Sequence, residues 1–316
     1  MQILITGGRG YLGGRIAKNF LDLGHSVSIT TRHVVKKDLL NGPINVLNPD
    51  WNSSSQLSKA CEGIDIVIHA AGMNADDCLR NPELASEFNG NATKRLAVAA
   101  AHSGVKKFIY LSTAQVYSDS FDTFFNEDSP TINNHPYATS HLLGEKNVLN
   151  SEGQHNMQRC ILRLSNIYGA PSDRNTNCWN LVVNDMARQV AEFGRINLKT
   201  NGQQKRDFVS ISDFLNYITG LSQESLASEY PQLINFGSGI SMTLLDMAHL
   251  ISEISLSVFG FTPPIQVVGK DIPSKDFPFI YSSKHDSLIE KFRKNDMRQE
   301  IYQLLIYCKL NFSKGK

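Results

Sequence analysis

The chain lacks any long apolar run. No hydrophobic stretch approaches the roughly 18 residues that a membrane span needs, so no membrane-spanning helix is expected. It also lacks an excess of either charge: 31 Lys and Arg stand against 30 Asp and Glu, a formal net charge of +1 with His neutral. That balance argues against the basic footprint of a nucleic-acid binder and against an acidic tail. Cysteine is sparse, with five residues at 61, 78, 160, 178 and 308, and no two have CxxC spacing. A disulfide framework or zinc centre is therefore not expected, and a reducing cytoplasm is the simplest setting. The start, MQILITGG, has neither the basic n-region nor the apolar core of a signal peptide, and no repeat or low-complexity tract interrupts the chain. What remains is an ordinary globular composition, 41% hydrophobic and 19% charged over 316 residues. That length suits two domains, or one domain with a smaller lobe.

The first thirty-two residues carry the clearest local pattern. Gln2 to Thr6 is a short apolar run of the kind that forms a buried parallel strand. It enters Gly7-Gly-Arg-Gly10-Tyr-Leu-Gly13 directly. Leu12, Ile16, Phe20 and Leu23 then recur at helical spacing until Gly24, and Ser26 to Thr30 reads as a second strand. Strand, glycine-rich turn, helix, strand is one βαβ unit. In that context the glycines let the backbone turn tightly and approach a pyrophosphate seated on the helix N-terminus. Gly7, Arg9, Gly10, Tyr11, Leu12 and Gly13 are accordingly candidate cofactor-binding residues. The second strand ends in Thr30-Thr31-Arg32-His33 without a carboxylate for ribose hydroxyls. Arg32, with Arg9 as a second cation, suits a 2′-phosphate instead, which favours NADP with NAD possible. The alternative is that Arg32 is a solvated surface residue.

Taken with Thr6, the spacing TGxxGxxG resembles the short-chain dehydrogenase/reductases. Further along, Ile44 to Leu47 reads as a strand followed by Asp50 and Trp51, both candidate cofactor contacts. Asp65 to Gly72 reads as an apolar strand closing on Ala70, Ala71 and Gly72, small residues that leave room for a ligand. Glu83 to Ser103 reads as one long Ala-rich helix, Lys107 to Ser112 as a strand, Pro136 to Asn150 as a helix and Cys160 to Leu164 as a strand. Alternation of this kind implies an α/β, Rossmann-type doubly wound parallel sheet. Later, helices are expected over 177–193, 243–255, 284–292 and 296–310, with 263–283 as loop around a short strand. The segments TGGRGYLG (6–13), DIVIHAAG (65–72), NPE (81–83), GVKKFIYLSTAQVY (104–117), PYATSHLLGE (136–145), ILRLSNIYG (161–169), QQKRDFVSISD (203–213) and INFGSGISMTLLDMA (234–248) follow in order. Together they resemble the extended short-chain dehydrogenase/reductases, the NAD-dependent epimerase/dehydratase family acting on nucleotide sugars. On that basis residues 1–167 and 207–236 are expected to form the dinucleotide-binding domain, and 168–206 and 237–316 a smaller C-terminal α/β substrate lobe.

The resemblance implies a catalytic set of a strand-end Ser/Thr, a Tyr and a Lys four residues after it. The matching positions are Thr113, Tyr137 and His141. Tyr137 and His141 share a helix face. Hydride transfer at a C–OH carbon needs a matched proton transfer, and a tyrosine hydroxyl titrates near 10 unless a cation stabilises its anion. Lysine is that cation in the family. His141 departs from the pattern, because imidazole is mostly neutral at pH 7 and offers one donor where an ammonium offers three. Three readings follow: His141 becomes protonated in the complex, or Tyr137 serves mainly as a proton donor in reduction, or redox activity is lost and the fold only binds.

Ala114-Gln115 stands where related 4,6-dehydratases carry Asp-Glu, which disfavours dehydration. The absence of a Cys beside Thr113, and of a His after Tyr168-Gly169, disfavours an epimerase-reductase. A 4-ketoreductase of a nucleotide-diphosphate sugar using NADPH is the favoured reading. A nucleotide-sugar 4-epimerase and a non-catalytic NAD(P)-binding sensor or scaffold are the alternatives. By resemblance Asn166 and Arg206 contact the sugar and the diphosphate, an arginine fork suiting phosphate oxygens. Leu142 and Leu143, with the apolar side of residues 92–101, are the expected face of a homodimer, although core burial explains them equally.

Overall fold

The computed structural model describes residues 1–32, 43–117, 124–151, 157–224, 231–267, 279–294 and 296–313. In chain order the elements begin with β1 (Gln2–Thr6), α1 (Tyr11–Asp22), β2 (Ser26–Thr30), β3 (Ile44–Leu47), α2 (Ser54–Cys61), β4 (Ile66–His69), α3 (Ala75–Arg80), α4 (Pro82–Ala85) and α5 (Thr93–His102). They continue with β5 (Lys107–Thr113), β6 (Phe124–Phe125), α6 (Pro136–Leu149), β7 (Gln158–Leu164), β8 (Asn166–Tyr168), α7 (Val182–Phe193), β9 (Ile196–Leu198), β10 (Lys205–Ser210) and α8 (Ile211–Gln223). The last are β11 (Leu233–Phe236), β12 (Ser241–Thr243), α9 (Leu244–Phe259), β13 (Ile265–Val267), β14 (Ile280–Tyr281), α10 (Asp286–Glu290) and α11 (Met297–Phe312).

The chain packs as two units: Met1–Ser120, Glu127–Leu164 and Ile218–Phe236 in the first, and Phe121–Asn126, Ser165–Tyr217 and Gly237–Lys316 in the second. Residues 124–126, 165–167 and 207–217, assigned from the sequence to the first domain, pack with the second unit.

The first unit holds a seven-stranded sheet in the order β11-β7-β5-β4-β1-β2-β3, every neighbouring pair parallel. The chain winds outward from β1 to β3, then returns to β1 and winds the other way through β4. The order therefore reverses between β1 and β4. In open sheets of this kind, ligands bind at the carboxyl ends beside such a reversal. The strands are apolar because both sheet faces are covered: all seven residues of β5 are buried, and Leu4, Val67, Phe108 and Ile161 pack with Leu57 and Leu96 of the helices.

The Ala-rich helix expected over 83–103 is not regular. Ser86–Ala92, between α4 and α5, is π-helical. Two contacts lie at this turn. The Thr93 hydroxyl takes the Asn89 carbonyl at 2.8 Å, and Gly90 lets Leu143 of α6 come so close that a Cβ there would stand 2.4 Å from Leu143 Cδ2. Leu143, part of the expected dimer face, is thus in contact within its own chain. On α1, Ile16 and Phe20 are buried as expected, but Leu23 is exposed and Gly13, Gly14 and Ala17 complete the buried face.

The second unit holds a three-stranded sheet, β12-β10-β8, and the pairs β13-β9 and β14-β6. Its core joins Val183, Met186 and Val190 of α7, Met247 and Ile251 of α9 and Ile301, Leu304 and Leu305 of α11. Several helices here differ from expectation at their ends. α7 starts at Val182 because residues 176–181 form turns, with Cys178 N–H on Thr176 O and Leu181 N–H on Cys178 O. α9 runs on to Phe259 and stops at Gly260 in the left-handed region, after starting on a Thr243–Asp246 capping box. Among the described residues no helix is long and apolar enough to cross a membrane.

Candidate active site

The glycine-rich turn after β1 is fixed by close backbone approach. Gly7 lies at φ +66°, and a Cβ on it would meet Ala70 O and Ala71 Cα at 2.9 Å. A Cβ on Gly13 would stand 2.2 Å from Gly7 O. Gly10 is the N-cap of α1, so no side chain caps that helix, and its first turn carries no acidic residue. Uncapped N–H groups at the positive end of a helix dipole are suited to an anion, and bare backbone lets the anion come close. These features fit the pyrophosphate of a dinucleotide. Arg9 and Arg32 are exposed. Arg32 lies 5.8 Å from the centre of the Phe88 ring, and neither arginine forms a salt bridge among the described residues. Asp50 spends one carboxylate oxygen on the Asn52 N–H at 2.9 Å. The Trp51 ring lies 5.7 Å from Phe88 and 6.0 Å from His69.

Behind this turn, the end of β4 is held by hydrogen bonds whose direction is fixed. The Thr6 hydroxyl oxygen accepts from the N–H groups of Ala70 and Ala71, both at 3.1 Å. It meets His69 Nδ1 at 2.6 Å. His69 Nε2 meets the Thr93 hydroxyl at 2.8 Å, and that hydroxyl gives its proton to Asn89 O. Thr93 must then accept from His69, so Nε2 carries the ring proton and Nδ1 accepts from Thr6. His69 is fully buried, and burial foremost, with His141 nearby, pushes it down to about 3. It is a neutral structural link between β1, β4 and α5.

Thr113 ends β5, next to β7 and β4 in the sheet. Its hydroxyl accepts the Gln115 N–H at 3.2 Å, which leaves its own proton free to donate. Tyr137 and His141 stand one turn apart on α6, which starts at His135 and Pro136. The structure brings all three together. The Tyr137 and His141 rings are 4.3 Å apart, and Thr113 hydrogen-bonds the Tyr137 side chain. Burial pushes the Tyr137 hydroxyl up to about 12, with the Thr113 bond opposing. Burial likewise lowers His141, against its bond to the Tyr137 carbonyl and the Glu145 carboxylate. His141 is thus neutral at neutral pH, and the helix presents a protonated phenol without a cation beside it.

Sequence reasoning missed what holds this helix. Glu145, one turn after His141, forms a buried two-point pair with Arg163 of β7, Nη2 to Oε2 at 2.7 Å and Nε to Oε1 at 3.0 Å. Ser112, next to Thr113, donates to the same carboxylate at 2.5 Å. Arg163 reaches on to the Tyr117 hydroxyl at 2.9 Å, and Tyr117 donates to Asn235 of β11 at 2.6 Å. Asn89, in the π-helical turn, was missed too. Its Oδ1 accepts the Met73 N–H at 2.8 Å and its Nδ2 reaches Ser140 of α6 at 3.0 Å.

In the second unit, Asn166 and Arg206 are exposed. Asn166 donates to the Asp207 carbonyl at 2.9 Å, and Arg206 to Lys205 O at 3.0 Å. Between them in the sheet, buried Asp207 takes the Ser238 and Gly239 N–H groups at 2.9 and 2.8 Å. Among the described residues no cluster of His, Cys, Asp and Glu could hold a metal.

With the fold and this geometry in view, comparison with known proteins is decisive on family. Residues 3–237 match the model of the NAD dependent epimerase/dehydratase family. The chain belongs to that family. It is 23% identical over 312 residues to a UDP-glucose 4-epimerase of Azospirillum brasilense, covering 91% of this chain and 88% of that one. In structure it resembles the UDP-N-acetylglucosamine 4-epimerase of Methanobrevibacter ruminantium in complex with UDP-N-acetylmuramic acid, with TM-score 0.81, 19% identity and 97% of each chain covered. It also resembles the UDP-glucuronic acid 4-epimerase of Bacillus cereus in complex with UDP-glucuronic acid and NAD, with TM-score 0.78, 21% identity, and 98% of this chain and 99% of that one covered. Identities this low establish the shared fold.

Proposed function

We propose that this protein reduces the 4-keto group of a nucleotide-linked sugar with NADPH, Tyr137 giving the proton. The observation that carries this reading is the Tyr137 hydroxyl, pushed up to about 12 beside a neutral His141. A phenol of that strength stays protonated throughout the neutral range and is matched to a developing alkoxide. It is a poor base for the reverse step, which needs tyrosinate. When bound, a reduced nicotinamide would supply the hydride for the carbonyl carbon. Tyr137 passes its proton to the carbonyl oxygen and regains one from solvent, and Thr113 turns its O–H from Tyr137 to that oxygen. The exposed Arg32, with no carboxylate at the end of β2, supports a 2′-phosphate and so NADPH over NADH. Arg206 and Asn166 are the proposed contacts to diphosphate and sugar, and Arg206 has the fork geometry for phosphate oxygens.

A 4-epimerase is the second reading, favoured by the relatives that match the chain nearly end to end. The two separate cleanly. Incubation with NADPH and a panel of nucleotide 4-keto sugars, followed by cofactor absorbance, should show oxidation with at least one. Conversion of a nucleotide sugar to its 4-epimer by the NAD-loaded protein, without net cofactor change, would replace the reductase reading. Cofactor binding with neither reaction would leave a binding protein.

A further inference from the structure

His141 Nδ1 lies 2.9 Å from the carbonyl oxygen of Tyr137, one turn back on α6. A carbonyl only accepts, so Nδ1 carries the proton. In the neutral ring Nε2 is then a bare lone pair. Nε2 has no hydrogen-bond partner among the described residues, although the side chain as a whole is only 6% exposed. Nε2 lies beside Gly72, which is exposed just beyond the carboxyl end of β4. A Cβ built there would stand 3.9 Å from Nε2. The ring cannot turn over to present the other nitrogen without giving up the helix bond. It is also hemmed by Tyr137 at 4.3 Å and by Tyr110 at 6.2 Å and 23°.

We infer that His141 Nε2 is a hydrogen-bond acceptor for a sugar hydroxyl, so that position 141 selects a ligand group that donates, the reverse of what a lysine ammonium there would demand. The titratable groups facing the ring are His69 on β4, Tyr110 on β5 and Tyr137 and Glu145 on α6. His69 is held neutral, and the two tyrosines are pushed up by burial. Of these only Glu145 favours the imidazolium, alongside the Tyr137 carbonyl, and its carboxylate is already spent on Arg163 and Ser112. A lysine at this place has three N–H donors and no acceptor. The ligand hydroxyl belongs either to the dinucleotide or to the nucleotide sugar. The inference rests on the dinucleotide-and-sugar reading above but not on turnover.

The test is nitrogen NMR on the full chain with 15N-histidine, His141 being assigned by loss of its signals in His141→Gln. At neutral pH the expected pattern is a protonated Nδ1 and an unprotonated, pyridine-type Nε2. Adding NADPH alone, or a UDP-sugar alone, should move the Nε2 resonance in the direction of hydrogen-bond acceptance, and the arm that moves it names the hydroxyl's source. A protonated Nε2, or an Nε2 unmoved by either ligand, overturns the inference. As a second measurement, analogues of the responding ligand carry fluorine in place of a hydroxyl, since fluorine accepts and does not donate. At the hydroxyl in contact, the exchange should weaken wild-type binding about tenfold, the worth of one hydrogen bond, and weaken His141→Lys clearly less. Equal losses in both proteins at every hydroxyl would also overturn it. None of these readouts needs catalysis, so failure of the reductase assay leaves them interpretable.

Discussion

Glu145 and Arg163 meet by two hydrogen bonds, 2.7 and 3.0 Å, in the interior of the first unit. Their side chains are 7% and 6% exposed. The pair ties α6 to β7, and the Ser112 hydroxyl ties the same carboxylate to β5.

Removing one partner strands a buried charge. Arg163→Met or Glu145→Gln alone should therefore cost about 3–5 kcal/mol of stability, and the double variant distinctly less than the sum. Urea unfolding of the four proteins gives the comparison. A double-variant cost equal to the sum of the two single costs would mean that the pair is not coupled.

The glycine turn gives a contrast between two alanine substitutions. Gly13→Ala puts a methyl 2.2 Å from Gly7 O and should abolish dinucleotide binding as well as destabilise the turn. Gly63→Ala has open space around it but φ +69°. It should cost about 1 kcal/mol and leave binding unchanged. Titration with NADPH and thermal melts read both.

For Tyr137 the pH dependence has a definite sign. A hydroxyl raised to about 12 is protonated well into the alkaline range, so ketone reduction should not fall with pH on its account below about pH 11. Tyr137→Phe should lower kcat about a hundred- to ten-thousand-fold. His141→Lys adds a cation beside the hydroxyl and should draw an alkaline fall in rate toward lower pH. An unchanged profile in His141→Lys would mean that the two side chains do not communicate.

His69 predicts a stability slope. Its folded value of about 3 lies below the ordinary histidine value of 6.5, so the unfolded chain binds a proton that the folded one refuses. Stability contributed by neutral His69 is full above about pH 6.5 and is lost as pH falls toward 3, by a few kcal/mol in all. Urea midpoints at pH 7 and pH 4.5 should differ more in wild type than in His69→Gln.

How much of this was legible beforehand depends on sequence distance. β1, the glycine turn, α1 and β2 were readable because their cues sit within thirty residues and reinforce one another. Thr113, Tyr137 and His141 were readable by position in their motifs, and the structure brings them together. The neutrality of His141 was only half readable: the residue type suggested it, but the burial that decides it comes from Tyr110 and the sheet. The Glu145–Arg163 pair lay inside two quoted motifs, yet nothing in either names its partner, since parallel pairing of β5 with β7 sets the distance. The π-helical turn was hidden because Ala-rich sequence suits a regular helix, and Gly90 meets Leu143 only after α6 docks. Helix ends in the second unit moved because local turns at 176–181 delay α7 and the left-handed stop at Gly260 comes later than the periodicity suggests.

The chain from Thr6 through His69 to Thr93 has one further consequence. Every proton in it is committed, so the line of bonds has a sense, like a one-way street, and neither hydroxyl can rotate without breaking a link. Replacing Thr93 by Val keeps the shape but removes the acceptor that His69 Nε2–H has among the described residues. The imidazole would then gain by moving its proton to Nδ1, where it would confront the proton of Thr6. Thr6 would have to turn its own proton away, toward the N–H groups of Ala70 and Ala71 that it now accepts. A methyl-for-hydroxyl exchange on α5 would thus be felt at the backbone of Ala70 and Ala71, transmitted by proton order alone.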